Sequence, residues 1–231
     1  MLQLSERLLA VASMVSEKSR LADVGTDHGY IPIFLCMQGK IPSAIAMDIR
    51  SGPLDRAKEN IRLYGLMKCI ETRLSDGVEK LKPEEADAVV IAGMGGGLVC
   101  KILEEGRQVL ESVNELILQP QSDIDQVRRY LQNNNWKITA EKMVCEDGKY
   151  YPMMHVVHGH MEPLADIEWK YGQFLLKEKN PVLGSFLDKE EAEILKVMEN
   201  LRTAGSEKAL VRLKELEELL AMNRKAQCRM C

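Results

Sequence analysis

Apolar residues recur along the first two thirds of the chain in alternating helix-like and strand-like runs. Leu4, Leu8, Val11, Ala12 and Val15 fall at helical spacing and predict an opening amphipathic helix. Leu21–Val24 reads as a short strand running into a Gly/Asp loop. Ser43–Met47 and Cys69–Leu74 read as strands. Between them Leu54–Tyr64 reads as a helix with Ala57, Ile61 and Leu63 in its apolar set. Asp87–Ala92 is almost wholly apolar, as a strand at the centre of a parallel sheet must be, because helices cover both its faces. A helix from about Gly97 to Leu110, a strand at Leu116–Leu118 and a helix over Asp123–Leu131 with Asp123 as its N-cap continue the series. This β-α rhythm predicts an α/β fold with a doubly wound sheet.

Near Ile138 the period changes. Lys137–Cys145 and Tyr150–Val157 are β-rich runs flanking Glu146-Asp147-Gly148-Lys149, and Asp-Gly between strands predicts a hairpin. The strand-like runs then make a seven-stranded sheet. From about Pro163 the pattern turns helical. Ile167, Tyr171, Phe174 and Leu175 form one stripe, Ile194, Met198 and Leu201 a second, and Leu210, Leu213, Leu216 and Leu220 a third. Ala204-Gly205-Ser206 supplies a helix stop and a new N-cap between the last two. The expectation is a sheet domain over residues 1–162 and a C-terminal α-helical, coiled-coil-like domain over residues 163–231.

Composition narrows the class. In 231 residues, 45% are hydrophobic and 29% charged, an ordinary globular balance with room for a sizeable core. No apolar run is long enough to span a membrane, and the opening segment has no signal-peptide core, so a soluble cytoplasmic protein is expected. A net charge of −4 gives no overall basic footprint, which leaves recognition of any polyanion to local patches. Cys36, Cys69, Cys100 and Cys145 are scattered in apolar surroundings, as free thiols are. Cys228 and Cys231 form a lone C-x-x-C without the second pair a zinc site needs. His155, His158 and His160 cluster, but strand alternation puts His155 on the opposite face from the other two, so no metal site is expected.

Candidate chemistry gathers at strand exits. Asp23-Val24-Gly25-Thr26-Asp27-His28-Gly29-Tyr30 follows the first strand. Its glycines let a ligand approach the backbone, and in open α/β sheets ligands bind at this edge. A dinucleotide site would show G-x-G-x-x-G; here Asp23 and Asp27 lie among Gly25 and Gly29, and carboxylates repel phosphate. The loop therefore suits a cationic ligand such as S-adenosylmethionine, with its sulfonium and ammonium groups. Asp48, followed by Ile49, ends the second strand, where an acid can take ribose hydroxyls. Ser75-Asp76-Gly77 follows the third strand and is either an adenine-binding acid or a simple turn. Gly93-Met94-Gly95-Gly96-Gly97 leaves the fourth strand with room for a flat base against the backbone. Gln119-Pro120 ends the fifth, where Gln119 is a substrate candidate.

Taken together, Ala22–Tyr30, Ile91–Gly96, Leu116–Pro120, Glu146–Tyr151 and Lys179–Leu183 resemble the bacterial tRNA (adenine-N1)-methyltransferases that act at position 22 of tRNA. The resemblance covers most of the chain. It implies a class I S-adenosylmethionine-dependent methyltransferase with a Rossmann-like cofactor domain, a C-terminal coiled coil that helps grip tRNA, and tRNA as partner. A monomer without membrane or metal partners is the expectation. Where many enzymes that methylate exocyclic amines carry Asn/Asp-Pro-Pro and an aromatic residue, this chain has Gly93-Met94-Gly95-Gly96. N1 of adenine has an available lone pair and needs no deprotonation, so alignment and a polar environment are what the protein must supply.

The candidate catalytic residues are Asp27, Met94 and Gly95. The candidate cofactor contacts are Asp23, Gly25, Thr26, Asp27, His28, Gly29, Asp48, Ile49, Ser75, Asp76, Gly77 and Gly93, and the candidate substrate contacts are Tyr30, Gly96, Gln119 and Pro120. Asp27 stands equally as the acceptor for the acceptor base or as a cofactor ligand. A small-molecule methyltransferase with the same cofactor site, and a non-catalytic RNA-binding protein on the same fold, are the competing readings.

Overall fold

The computed structural model describes residues 2–204 and 207–230, so Gly205, Ser206 and Cys231, on which a helix break and half of the C-x-x-C were read, lie outside the described residues. The chain divides into two compact units, Met1–Glu162 and Pro163–Cys231.

In the first unit the elements run α1 (Glu6–Met14), β1 (Leu21–Val24), α2 (Tyr30–Met37), β2 (Ala44–Asp48), α3 (Ser51–Leu63), β3 (Ile70–Leu74), β4 (Ala88–Met94), α4 (Gly96–Glu105), α5 (Arg107–Leu110), β5 (Glu115–Pro120), α6 (Ile124–Asn133), β6 (Trp136–Glu146) and β7 (Lys149–His158). The seven strands form one sheet in the order β3-β2-β1-β4-β5-β7-β6. The first five in that order run parallel, with Leu21 opposite both Ala44 and Ala88, while β7 is antiparallel to β5 and β6. Strand order reverses on either side of β1, and there the loops after β1 and β4 diverge to opposite faces and leave a crevice at the carboxyl edge. Val89, Val90 and Ile91 of β4 and Leu116, Ile117 and Leu118 of β5 are fully buried. Asp147 and Gly148 both take positive φ (51° and 72°), as a tight two-residue turn matched to strand twist requires.

Two helical expectations are corrected. The run from Gly97 to Leu110 is broken at Gly106, where an added Cβ would collide with Cγ2 of Val78. Asp123 stands at the N-cap position of α6 as expected, but its side chain makes no cap. Its backbone is left-handed (φ 50°), and its carboxylate accepts from the Ser122 hydroxyl (2.7 Å) instead.

The second unit holds α7 (Asp166–Tyr171), α8 (Gln173–Lys177), α9 (Pro181–Ala204) and α10 (Glu207–Met230). Gly172, at φ 95°, splits the first predicted stripe into two short helices. The Asn180 carboxamide oxygen accepts from the backbone N–H groups of Val182 and Leu183 (3.0 and 3.2 Å) and caps α9, with Pro181 at its first position. Ile194 and Met198 of α9 pack with Leu216 and Leu220 of α10, and Leu201 and Leu213 flank them. Leu210, assigned to the same stripe from sequence, is 63% exposed. Among the described residues no helix is long and apolar enough to cross a membrane.

Candidate active site

A cavity of about 610 Å³ opens at the carboxyl edge of the sheet, within the range of small-molecule sites. Its floor is the turn after β1. Gly25 turns there with φ 75°, and the N–H groups of Gly25 and Thr26 both donate to the carbonyl of Met47 (2.8 Å each), which hangs the turn over β2. Asp23, at the last turn of β1, is buried and accepts from the Thr26 hydroxyl (2.6 Å). Burial pushes its carboxyl up to about 6; the Thr26 bond opposes the shift and the nearby Asp48 charge adds to it. Asp48 is buried as well. It accepts from the backbone N–H of Arg50 (2.8 Å) and lies 3.7 Å from that residue's guanidinium. Two buried acids around an open glycine turn form a negative pocket that favours a cation.

Beyond β3, Ser75 shapes the turn that presents Asp76. Its hydroxyl donates to the carbonyl of Gly77 (3.0 Å) and accepts from the N–H of Lys80 (3.1 Å). On the other side, Gly93 at φ 80° has no register partner, because the β4–β5 pairing skips from Ala92 to Met94. The Met94 side chain lies over Gly25, where a Cβ would overlap its Cε. The Met94 carbonyl accepts from the N–H of Gln121 (2.8 Å), which ties the β5 exit loop to the β4 exit.

The cavity gathers most of the candidates read from sequence. Asp23, Gly25, Thr26, Asp27, Tyr30, Asp48, Ile49, Ser75, Asp76, Gly77, Gly93 and Met94 line it; His28, Gly29, Gly95, Gly96, Gln119 and Pro120 do not. Each exception has a packing reason. Gly29 (φ 69°) is the close contact between α2 and α3, with Ala57 3.3 Å from its would-be Cβ. His28 holds a left-handed backbone (φ 62°), its carbonyl accepts from Asn60 (2.9 Å), and its ring stacks on Tyr30 at 5.1 Å. Gly96 packs against the carbonyls of Ser122 and Asp123, so Gly95-Gly96 lets α4 start hard against the β5 exit loop. Gln119 is fully buried; its oxygen accepts from Arg7 (3.0 Å) and its nitrogen donates to the carbonyl of Pro120 (3.1 Å). The position offered as a substrate contact is therefore held inside the sheet. Asp27 lines the cavity with a carboxylate 70% exposed, 3.4 Å from the Arg56 guanidinium and 3.5 Å from the His28 ring.

Residues that sequence reasoning missed also line the cavity, among them Arg7, Arg50, Leu98, Ile102 and Gln121. Gln121 lies in the same Gln-Pro-Gln run as Gln119, and strand alternation alone gave no signal that the two would part. Arg7 had none, because it comes from α1, 112 positions from its partner Gln119. Its guanidinium also lies 5.5 Å from the ring centre of Tyr151. Two of the clustered histidines are held within the fold: His155 meets Glu115 (2.8 Å) and Thr139 (2.6 Å), and His158 stacks on Trp136 at 3.9 Å.

Comparison with known proteins agrees with this geometry. Residues 4–154 match the family described as "Methyltransferase domain". A tRNA (adenine(22)-N(1))-methyltransferase of Bacillus subtilis is 34% identical over 227 residues, covering 96% of this chain and 95% of that protein. A Streptococcus pneumoniae protein solved in complex with S-adenosyl-L-methionine superposes with a TM-score of 0.88 at 36% identity, covering 97% of this chain and 100% of that one. The TrmK protein of M. capricolum, solved with S-adenosyl-homocysteine, gives 0.85 at 28% identity, with 99% of each chain covered. The chain belongs to the tRNA (adenine(22)-N(1))-methyltransferase family.

Proposed function

We propose that this chain transfers a methyl group from S-adenosylmethionine to N1 of an adenine in tRNA, at position 22 as its Bacillus subtilis relative's name specifies. The observation that carries the reading is the cavity at the switch point, whose negative, glycine-opened half adjoins a second half at the Gly93 bulge. The chain's residues fit the cofactor. Asp23, buried beside Asp48 and pushed up to about 6, is the partner for its ammonium group. Asp48 takes the ribose hydroxyls, Asp76 takes the adenine amino group, and Gly25 and Gly77 let the ligand lie on the backbone. When bound, S-adenosylmethionine supplies an electrophilic methyl group on a sulfonium.

The remaining work falls to the other half of the cavity. Gly93 and Met94 seat the acceptor base, and Asp27 supplies a carboxylate at the mouth. N1 carries its own lone pair, so no residue has to remove a proton before attack. What accelerates the reaction is alignment and an acceptor whose bond to the base strengthens as positive charge develops. The base must leave its stack to enter a cavity at a sheet edge. The helical hairpin of α9 and α10 is the second tRNA contact in this reading.

The test is mass spectrometry of nucleosides from unmodified tRNA incubated with the protein and S-adenosylmethionine. 1-Methyladenosine is the expected product. Another methylated nucleoside would correct the target atom. Cofactor binding without tRNA methylation would favour a small-molecule enzyme, and no cofactor binding by folded protein would overturn the assignment.

A further inference from the structure

At the Gly93 side of the cavity, the half proposed to seat the acceptor base, stands the side-chain amide of Gln121. Gln121 lines the cavity and is exposed. Its Nε2 lies 3.8 Å from the point where a Cβ on Gly93 would stand, beside the Arg7 guanidinium at the same distance. Its backbone is fixed, because its N–H donates to the carbonyl of Met94 (2.8 Å) and it follows Pro120 at the end of β5. The other amide of the run, Gln119, has both of its polar ends engaged inside the sheet. Arg7 is already oriented by Gln119 and lies against Tyr151, so its fork is not free to turn as a whole toward a base.

We infer that Gln121 selects adenine by reading its Hoogsteen edge, which leaves N1 open for methylation. This rests on the proposed adenine-N1 activity and adds a specificity-determining residue to it. A carboxamide pairs with adenine by accepting from the N6 amino group and donating to N7. Both contacts lie on the edge away from N1. The same amide facing guanine meets a carbonyl oxygen with its own oxygen, and one of the two bonds is replaced by repulsion. An enzyme that methylates N1 cannot recognise adenine through N1 itself, and the N6/N7 edge offers a donor–acceptor pattern that guanine lacks. Only one N6 hydrogen is used by Gln121. The second remains for Asp27.

The experiment is a cycle with two enzymes and two substrates: wild type and Gln121→Leu, each acting on a full-length tRNA transcript with either adenosine or 7-deazaadenosine at the acceptor position. Deaza substitution removes the N7 acceptor and leaves N1 and the amino group. For wild type, kcat/KM is expected to fall roughly tenfold on the deaza substrate, the order of one lost bond in a bidentate base contact. For Gln121→Leu, kcat/KM on adenosine is expected to fall about 10- to 100-fold, with no further fall on the deaza substrate and with S-adenosyl-homocysteine affinity by calorimetry unchanged. Equal rates of wild type on both substrates would overturn the inference while leaving the adenine-N1 activity standing. So would an equal deaza penalty in both enzymes, which would place the N7 contact in the folded RNA. Absence of 1-methyladenosine from wild type on the adenosine substrate would overturn the activity, and the inference with it. Gln121→Asn is the second variant. Its shorter amide keeps both polar ends, so restoration of part of the deaza sensitivity is expected; behaviour identical to Gln121→Leu would count against a polar reading contact.

Discussion

Replacing Asp23 by Asn should make the unliganded protein more stable and a much poorer cofactor binder. Asp23 is buried beside Asp48, and burial, with Asp48's charge added, holds its carboxyl near 6 instead of 3.8 even though Thr26 donates to it. At about 1.36 kcal/mol for each tenfold change in proton affinity, ionised Asp23 costs the fold about 3 kcal/mol at neutral pH. The folded acid holds its proton more tightly than the unfolded one. The penalty is therefore complete above pH 6, shrinks as the pH falls from 6 towards 3.8, and vanishes below that. Asn keeps the acceptor for Thr26 and loses the charge. Asp23→Asn should raise the melting temperature of the first unit at pH 7 by roughly 6–12 °C for a domain of this size, with no gain at pH 4. A bound ammonium group reverses the sign of Asp23's environment, because the charged acid is then the favoured form. S-adenosyl-homocysteine affinity of the wild type should fall about tenfold per pH unit below 6, with proton release on binding. In the variant it should be about 10- to 100-fold weaker at pH 7 and flat with pH, the loss of one charge-assisted bond. Calorimetry between pH 5 and 8 in buffers of different ionisation enthalpy, together with thermal melts, reads both halves. A variant no more stable than wild type at pH 7, or a wild-type affinity flat from pH 5 to 8, would refute the electrostatic reasoning.

Three further outcomes follow from the same structure. Asp27→Ala should lower kcat by about 30-fold, somewhat less than the roughly 100- to 1,000-fold cost of a buried transition-state partner, because its carboxylate is 70% exposed and faces Arg56. Asp27→Asn should be milder, and an equal fall in cofactor affinity measured by calorimetry would make Asp27 a cofactor ligand instead. At the far edge of the sheet, burial raises the Glu115 carboxyl but hydrogen bonds from His155 and Ser16 outweigh it, and the net shift is downward. Glu115→Gln should therefore lose stability at pH 7 and converge with wild type as the pH falls below about 4.5, in urea melts at each pH. A protein ending at residue 162 should retain S-adenosyl-homocysteine binding, since the whole cavity lies in the first unit, and should bind tRNA much more weakly in filter binding. Unchanged tRNA affinity would assign the grip to the sheet unit alone.

The sequence by itself determined most of the elements and the strand exits that line the cavity, because both are written in local signals. Period-2 and period-3.6 patterns place the seven strands and most of the helices between them, though not α2, and Asp147-Gly148 fixes the hairpin turn. Acids and glycines at consecutive strand exits line the cavity, since Asp23, Asp48 and Asp76 reach it directly from the ends of their own strands or the turns beyond them. Only the tertiary structure decided which polar side chains near those exits face the cavity and which face the core. Gln119 and Gln121 are the same residue two positions apart, yet one is fully buried against Arg7 and Pro120 while the other lines the cavity. Arg7 reaches the site only because α1 folds back towards the end of β5, and position 106 admits no side chain because Val78 lies against it. Those outcomes depend on neighbours tens of residues away along the chain, and a local pattern carries no record of a contact that chain folding alone brings together.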